Sequence, residues 1–204
     1  MPAGMYLIGI AGPSGAGKSF LAQGLKLALD AEILELDRYY RDLSHLPLEQ
    51  RAQRNFDAPE ALEHELLIEQ VARLRNSEPV QVPVYDFTTH TRSAKTEILQ
   101  PSRVLIVEGL FTLHWPGLRD LLDTKVYVEL KDQDCLTRRK ARDVRERGRT
   151  EESVVDQYEA TVAPMAQRYV RPTFVHADVV VMGTERIEDG VALVLEHYRW
   201  RTGQ

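Results

Sequence analysis

The chain has 204 residues, with 26 Lys and Arg against 31 Asp and Glu, and its formal net charge of -5 argues against a sequence-independent grip on nucleic-acid backbones. Its only cysteine, Cys135, excludes an internal disulfide and a cysteine-based zinc site, and its aliphatic runs are too short to span a bilayer. With no signal-peptide regions at the N-terminus, the expectation is a single domain over residues 1–204 in a reducing cytoplasm, with neither a membrane nor a nucleic-acid polymer as partner.

Met5 to Ile10 reads as a buried strand, and Lys18 to about Leu29 as the helix after it, with Leu21 and Leu25 on one face. Between them lies Gly12-Pro13-Ser14-Gly15-Ala16-Gly17-Lys18-Ser19, which matches the phosphate-binding pattern G-x-x-x-x-G-K-[ST] in the strand-turn-helix context that gives the pattern meaning. Its glycines let backbone N–H groups turn inward as an anion cradle, and the helix N-terminus adds its positive dipole end. Lys18 is expected to reach the terminal phosphates, and the Ser19 hydroxyl to bind Mg²⁺.

A second strand, Ile33 to Leu36, is expected to end at Asp37, at the carboxyl edge where open parallel sheets bind ligands. Arg38 to Pro59 is polar and irregular, and a helix from Pro59 to about Asn76 should turn Leu62, Leu66, Val71 and Leu74 inward. Val80 to Phe87 alternates like an edge strand and can pair with Thr96 to Leu99 around a turn from Thr88 to Lys95. Arg103 to Val107 reads as a central strand ending at Glu108-Gly109, followed by a helical turn near Gly117 to Leu122 and a strand from Lys125 to Leu130. Helices are expected from about Asp132 to Arg147 and Glu151 to Gln167, separated at Gly148; a last strand runs from Ala177 to Met182, and a closing helix from Ile187 to Arg199 turns Ile187, Val191, Val194, Leu195 and Tyr198 inward. The alternation implies right-handed crossovers. The fold class is α/β: a P-loop sandwich with a mainly parallel five-stranded sheet, helices on both faces, a β-hairpin at about 80–100 and a helical lid at about 132–160.

Lys18, Ser19, Asp37 and Glu108 should converge at one sheet edge, and phosphoryl transfer needs this set: a cradle, a metal-neutralised phosphate tail and a carboxylate near the attacking oxygen. Asp37 can take the proton of an acceptor hydroxyl, hold a metal-bound water, or do both. The basic run Arg138, Arg139, Lys140, Arg142, Arg145, Arg147 and Arg149 has two readings: a lid whose guanidinium forks close over the phosphate, or a solvated face partnered by Asp143 and Glu146. Helical spacing would put Arg138, Arg142, Arg145 and Arg149 on one face if the helix persisted, with Arg139 on a neighbouring one. Tyr85, Phe87, His90 and Arg92 suit a planar heterocycle, although composition alone favours an ordinary exposed hairpin.

These stretches resemble the uridine kinases, or uridine-cytidine kinases, over nearly the whole chain. The matching segments are Gly12 to Ser19, Asp37-Arg38-Tyr39-Tyr40-Arg41, Asn55-Phe56-Asp57, Pro83 to Phe87 with His90 and Arg92, Glu108-Gly109, and Arg138-Arg139 through Arg142-Asp143 to Glu146-Arg147-Gly148-Arg149. The Tyr-Asp-Phe-x-x-His-x-Arg hairpin and the Arg-Asp-x-x-Glu-Arg-Gly-Arg segment are the specific ones. The resemblance implies ATP- or GTP-dependent, Mg²⁺-assisted phosphorylation of the 5′-hydroxyl of uridine or cytidine. It implies Asp37 as the catalytic carboxylate assisted by Lys18, Arg139 and Arg149, with Ser19, Glu108 and Asp37 around the metal. It further implies that Tyr40, Phe56, Tyr85, Phe87, His90 and Arg92 lie at the nucleoside, that Asp57, Arg139, Arg149 and Gln157 bind ribose or order the lid, and that Gly12, Ser14, Gly15, Ala16, Gly17, Lys18 and Ser19 hold the ATP phosphates. A homotetramer is implied as well. The chain departs from the family pattern at Arg38-Tyr39, where Ser-Phe is usual, at Ala166, where histidine is common, and at Phe174, where lysine is common.

Overall fold

A computed structural model describes residues 4–204; the side chains of Ala52, Glu146 and Arg147 lie outside the described set, as do Met1 to Ala3 of the expected domain. Strands β1 (Tyr6–Ala11), β2 (Glu32–Glu35), β5 (Val104–Glu108), β6 (Thr124–Glu129) and β7 (Val179–Met182) form one parallel sheet in the order β2-β5-β1-β6-β7. Strands β3 (Val80–Asp86) and β4 (Thr91–Leu99) form a separate antiparallel hairpin. The helices are α1 (Lys18–Leu29), α2 (Leu48–Ala52), α3 (His64–Arg75), α4 (Pro116–Arg119), α5 (Asp132–Arg147), α6 (Glu151–Gln157), α7 (Ala163–Met165) and α8 (Ile187–Thr202).

Side-chain alternation divides the core. Leu7, Leu34, Leu105, Val107 and Tyr127 point to one face of the sheet, where Leu67, Val71 and Leu74 of α3 and Val80, Val82 and Tyr85 of the hairpin cover them. Ile8, Ile10, Val104, Ile106 and Val126 point to the other, under Leu21 and Leu25 of α1 and Val194 and Tyr198 of α8. Both faces are therefore buried, as continuous aliphatic strands require.

Several boundaries differ from the sequence reading for local reasons. Strand β2 stops at Glu35, and Asp37 lies in a 3₁₀ turn, Leu36–Tyr39. The helix expected from Pro59 is split into a 3₁₀ turn, Pro59–Ala61, and α3, because Leu62 is extended and bridges Tyr40. The buried face of α3 accordingly uses Leu67 and Gln70 rather than Leu66. The hairpin turn is shorter than expected, since β4 already begins at Thr91. The helix after Glu151 continues past Gln167: α6, a π segment Tyr158–Val162, α7 and a second π segment Ala166–Val170 run without a break in direction before a 3₁₀ stretch, Arg171–His176. Pro164 has no N–H to donate to the preceding turn, and π segments lie on either side of it. In α8, Ile187 is exposed rather than inward.

Candidate active site

The parallel register brings three strand ends level. Ile10 pairs with Glu108, and Glu108 pairs with Glu35, so the loop after β1, the turn after β2 and the end of β5 open on one edge. The loop after β1 is the cradle. Gly12 has φ 146° and Gly15 φ 85°, and a Cβ at these positions would stand 2.4 Å from the Val128 carbonyl oxygen and 2.6 Å from that of Cys135. Only glycine fits both the conformation and the space. Gly17, also left-handed, precedes α1, whose first turn leaves its N–H groups without intrahelical acceptors.

Lys18 folds back so that its Nζ donates to the Pro13 carbonyl at 3.1 Å, and desolvation by burial lowers its pKa against the attraction of Glu108 and Asp37. Ser19 Oγ donates to Glu108 Oε1 at 3.1 Å. Glu108 is buried, and that burial raises its pKa despite Lys18. Ser19 and Glu108 offer a hydroxyl and a carboxylate, the hard oxygen donors Mg²⁺ takes together with substrate phosphates. Asp37 stands over this group: its charge acts on Lys18, Glu108, Tyr40, Asp57 and Tyr85.

On the acceptor side, Asp37 shares a pocket with Glu35, Arg38, Val84, Tyr85 and Phe87. Tyr85 and Phe87 are its aromatic lining, and ring contacts run on from Tyr85 to form an aromatic wall. Tyr40 meets Phe56 edge-on at 5.4 Å and Tyr85 at 5.2 Å; Phe56 stacks on His90 at 5.0 Å, and Tyr85 meets Phe87 edge-on at 5.2 Å. The register of the hairpin shifts between Pro83 and Tyr85, a bulge that re-aims the side chains entering the pocket. Tyr85 Oη is buried without a hydrogen-bond partner, and burial pushes its pKa up to about 12. A buried hydroxyl so placed suits a polar ligand atom, because leaving it unpaired is unfavourable. Arg92 plays a different part in this wall: Nε donates to the Tyr40 carbonyl at 2.8 Å, Nη2 to that of Tyr39 at 2.9 Å, and Nη1 pairs with Glu63.

The lid closes the third side. Arg139 is buried; Nη1 donates to Ser14 Oγ at 2.9 Å and Nη2 to Gln157 Oε1 at 3.1 Å, while Asp57 Oδ1 lies 4.0 Å away. One guanidinium thus touches the cradle, the lid and the acceptor acid. Arg149 lies beyond the break expected at Gly148, where α5 ends in a left-handed residue. It donates to Gln157 Oε1 and to the Ser153 carbonyl. Arg138 instead caps carbonyls, donating to Ala16 at 3.4 Å and Gly183 at 2.7 Å.

In sequence Asp143 reads either as a partner on a solvated face or, by resemblance, as part of the Arg-Asp-x-x-Glu-Arg-Gly-Arg segment, and its burial removes the first reading. Its side chain is fully buried, accepts from Arg142 Nε at 2.9 Å, and lies 3.6 Å from Arg139 Nε and 3.7 Å from Arg149 Nη1. The spacing of Arg139 and Asp143, four residues apart on a helix, is the signal that points to it.

Residues 7–188 match the model of the phosphoribulokinase/uridine kinase family. The chain belongs to that family. It is 44% identical over 178 residues to a protein named uridine kinase from Staphylococcus epidermidis, covering 86% of each chain. A uridine kinase from Aliivibrio fischeri is 42% identical over 182 residues, covering 86% of this chain and 85% of its own. Among solved structures, phosphoribulokinase from Rhodobacter spheroides superposes with a TM-score of 0.64 at 16% identity, covering 92% of this chain and 74% of its own, a likeness of fold alone. This family member is thus a P-loop kinase by fold and lineage, and among its described residues no helix is long and apolar enough to cross a membrane.

Proposed function

We propose that the whole chain is one kinase domain that transfers the terminal phosphate of ATP to the 5′-hydroxyl of uridine or cytidine, with GTP as an alternative donor. The observation that carries this reading is the run of ring contacts joining Tyr40, Phe56, Tyr85, Phe87 and His90, of which Tyr85 and Phe87 share a pocket with Asp37. A planar base can stack there, with the Tyr85 hydroxyl and the His90 imidazole at its polar edge. The uridine kinase names of its relatives agree with this acceptor.

In this mechanism Asp57, Arg139 and Gln157 orient the ribose, and Asp37 accepts the proton of the 5′-hydroxyl as its oxygen attacks the γ-phosphorus. The new O–P bond forms in line with the breaking bond to the β,γ-bridging oxygen, and ADP leaves. Lys18, Arg139 and Arg149 balance the charge on the phosphoryl oxygens, and the cradle amides fix the phosphate tail. Mg²⁺, when bound, would be held by Ser19, Glu108 and Asp37 and would supply further charge neutralisation. Because the transition state is loose, positioning by Asp37 outweighs its basicity. The setting is cytoplasmic, and the protein acts as a homo-oligomer.

The test is a panel of nucleosides and other small alcohols incubated with protein, Mg²⁺ and ATP or GTP, read by mass for new monophosphates. UMP or CMP is expected. Phosphorylation of a different alcohol with neither nucleoside accepted would overturn the proposal.

A further inference from the structure

The two residues after Asp37 lie outside the aromatic wall, yet both reach the hairpin that carries most of it. Arg38 Nη1 pairs with Glu97 Oε2 on β4 at 2.6 Å, beside the acceptor pocket that Arg38 helps to line. Tyr39 is fully buried, and its hydroxyl donates to Gln70 Oε1 on α3 at 2.7 Å. Gln70 Nε2 in turn donates to the Gln81 carbonyl of β3 at 3.0 Å. One turn therefore grips both strands of the hairpin, β4 directly and β3 through α3.

The hairpin needs such fastening. It is a two-stranded ribbon with no ladder to the central sheet, and isolated ribbons of this kind are marginal in water. Its outer strand β4 is exposed over most of its length, so apolar burial of β4 cannot fix its place. Val80, Val82 and Tyr85 seat β3 on the core, Arg92 ties β4 to the Tyr39 and Tyr40 carbonyls, and the Arg38 and Tyr39 side chains add links from the turn that carries Asp37 to both strands.

We propose that Arg38 and Tyr39 are positioning residues for the acceptor, holding the β3–β4 hairpin in register with the turn that carries Asp37. The assignment rests on the nucleoside reading of the site given above. Neither side chain is asked to touch the reacting atoms; each sets where Tyr85, Phe87 and His90 stand relative to them. The two tethers differ in kind: the Tyr39–Gln70 bond is buried, and the Arg38–Glu97 pair is exposed and correspondingly weak.

Tyr39→Phe removes one hydroxyl without opening a cavity. It should raise the nucleoside KM about three- to tenfold, the span of one net hydrogen bond, while kcat and the ATP KM stay within about twofold. Arg38→Ala should raise the nucleoside KM by about fivefold or less, and the charge exchange Arg38→Glu with Glu97→Arg should restore most of it. Hydrogen exchange of the β3 and β4 amides should quicken in both single variants, with the amides of the cradle unchanged. Faster hairpin exchange with an unaltered nucleoside KM would reduce the tethers to structural links and overturn the proposal, as would a kcat loss without a KM change. If the parent protein phosphorylates neither nucleoside, the functional reading fails. The exchange experiment still decides whether the tethers fasten the hairpin.

Discussion

At the donor end, one unbroken segment from Gly12 to Ser19 makes the cradle, and its form is set by backbone angles and by the carbonyls of Val128 and Cys135 pressed against it. At the acceptor end, the groups come from the turn after β2, the Asn55-Phe56-Asp57 loop, the hairpin, α5 and α6, and side chains from these separate segments meet one another there. The charges differ as well. Burial drives Lys18 and Glu108 toward their neutral forms, so the cradle holds desolvated groups that a bound phosphate tail and its metal would satisfy. In the lid, Arg139, Arg142 and Arg149 already have a shared carboxylate in Asp143. A phosphate-binding end can thus stand in wait of its ligand, whereas an array of guanidinium groups needs an internal counter-charge to keep its shape.

The largest effect that tests this division is on Asp37, which faces both ends. Asp37→Asn should lower kcat by about 10²- to 10⁴-fold while ATP binding measured by calorimetry changes little. Near-normal turnover would remove Asp37 from the chemistry and leave it a fold residue.

Next comes Arg139, a side chain that touches cradle, lid and acceptor acid together. Arg139→Lys keeps the charge but loses the planar fork, and should lower kcat/KM by about a hundredfold. If the two ends act independently, only one substrate's KM will move; if Arg139 couples them, both will.

Legibility in the sequence followed the same division. The cradle could be read because its function needs glycine at fixed spacing, and Asp37 and Glu108 because strand ends in a parallel sheet share an edge. Tyr85, Phe87 and His90 were visible as an alternating set, although nothing in composition separated them from an exposed hairpin until Tyr40 and Phe56 closed the wall from other segments. Asp143 was hidden, since an acid within a basic run looks like a solvated partner unless its burial is known. Arg149 falls on the arginine face only if the helix persists, and the break expected at Gly148 is where α5 ends. The helix from Glu151 is expected to stop near Gln167, and a π segment over Ala166–Val170 carries the chain past that point.

A smaller effect concerns Asp57, buried beside Arg139. Desolvation raises its pKa above the ordinary 3.8 in the folded protein. The folded state therefore binds its proton more tightly than the unfolded chain does; the resulting stabilisation is present below pH 3.8 and is lost as pH rises through the folded value. Asp57→Asn should gain thermal stability relative to the parent as pH is raised from about 4 to 7, by a few degrees at most, while the nucleoside KM rises. Thermal unfolding across that range checks the sign. A parent protein that gains stability over the variant with rising pH would mean that Arg139 outweighs the burial.

The smallest effect expected is on the choice between the two bases. His90 stacks on Phe56 with ring planes 19° apart, and its backbone is left-handed at φ 51°. A neutral imidazole donates from one nitrogen and accepts at the other, so it can meet the carbonyl of uracil or the amino group of cytosine. His90→Phe keeps the stack and removes both polar atoms, though a phenyl residue tolerates positive φ less well. His90→Asn is the companion variant: it accepts that backbone and keeps a donor and an acceptor, but gives up the ring. If the imidazole reads the base, His90→Phe should shift the uridine-to-cytidine ratio of kcat/KM by about tenfold or less, and His90→Asn should lower both values together. A ratio unchanged in both variants would assign base reading to the Tyr85 hydroxyl, the buried polar atom in this wall that has no protein partner.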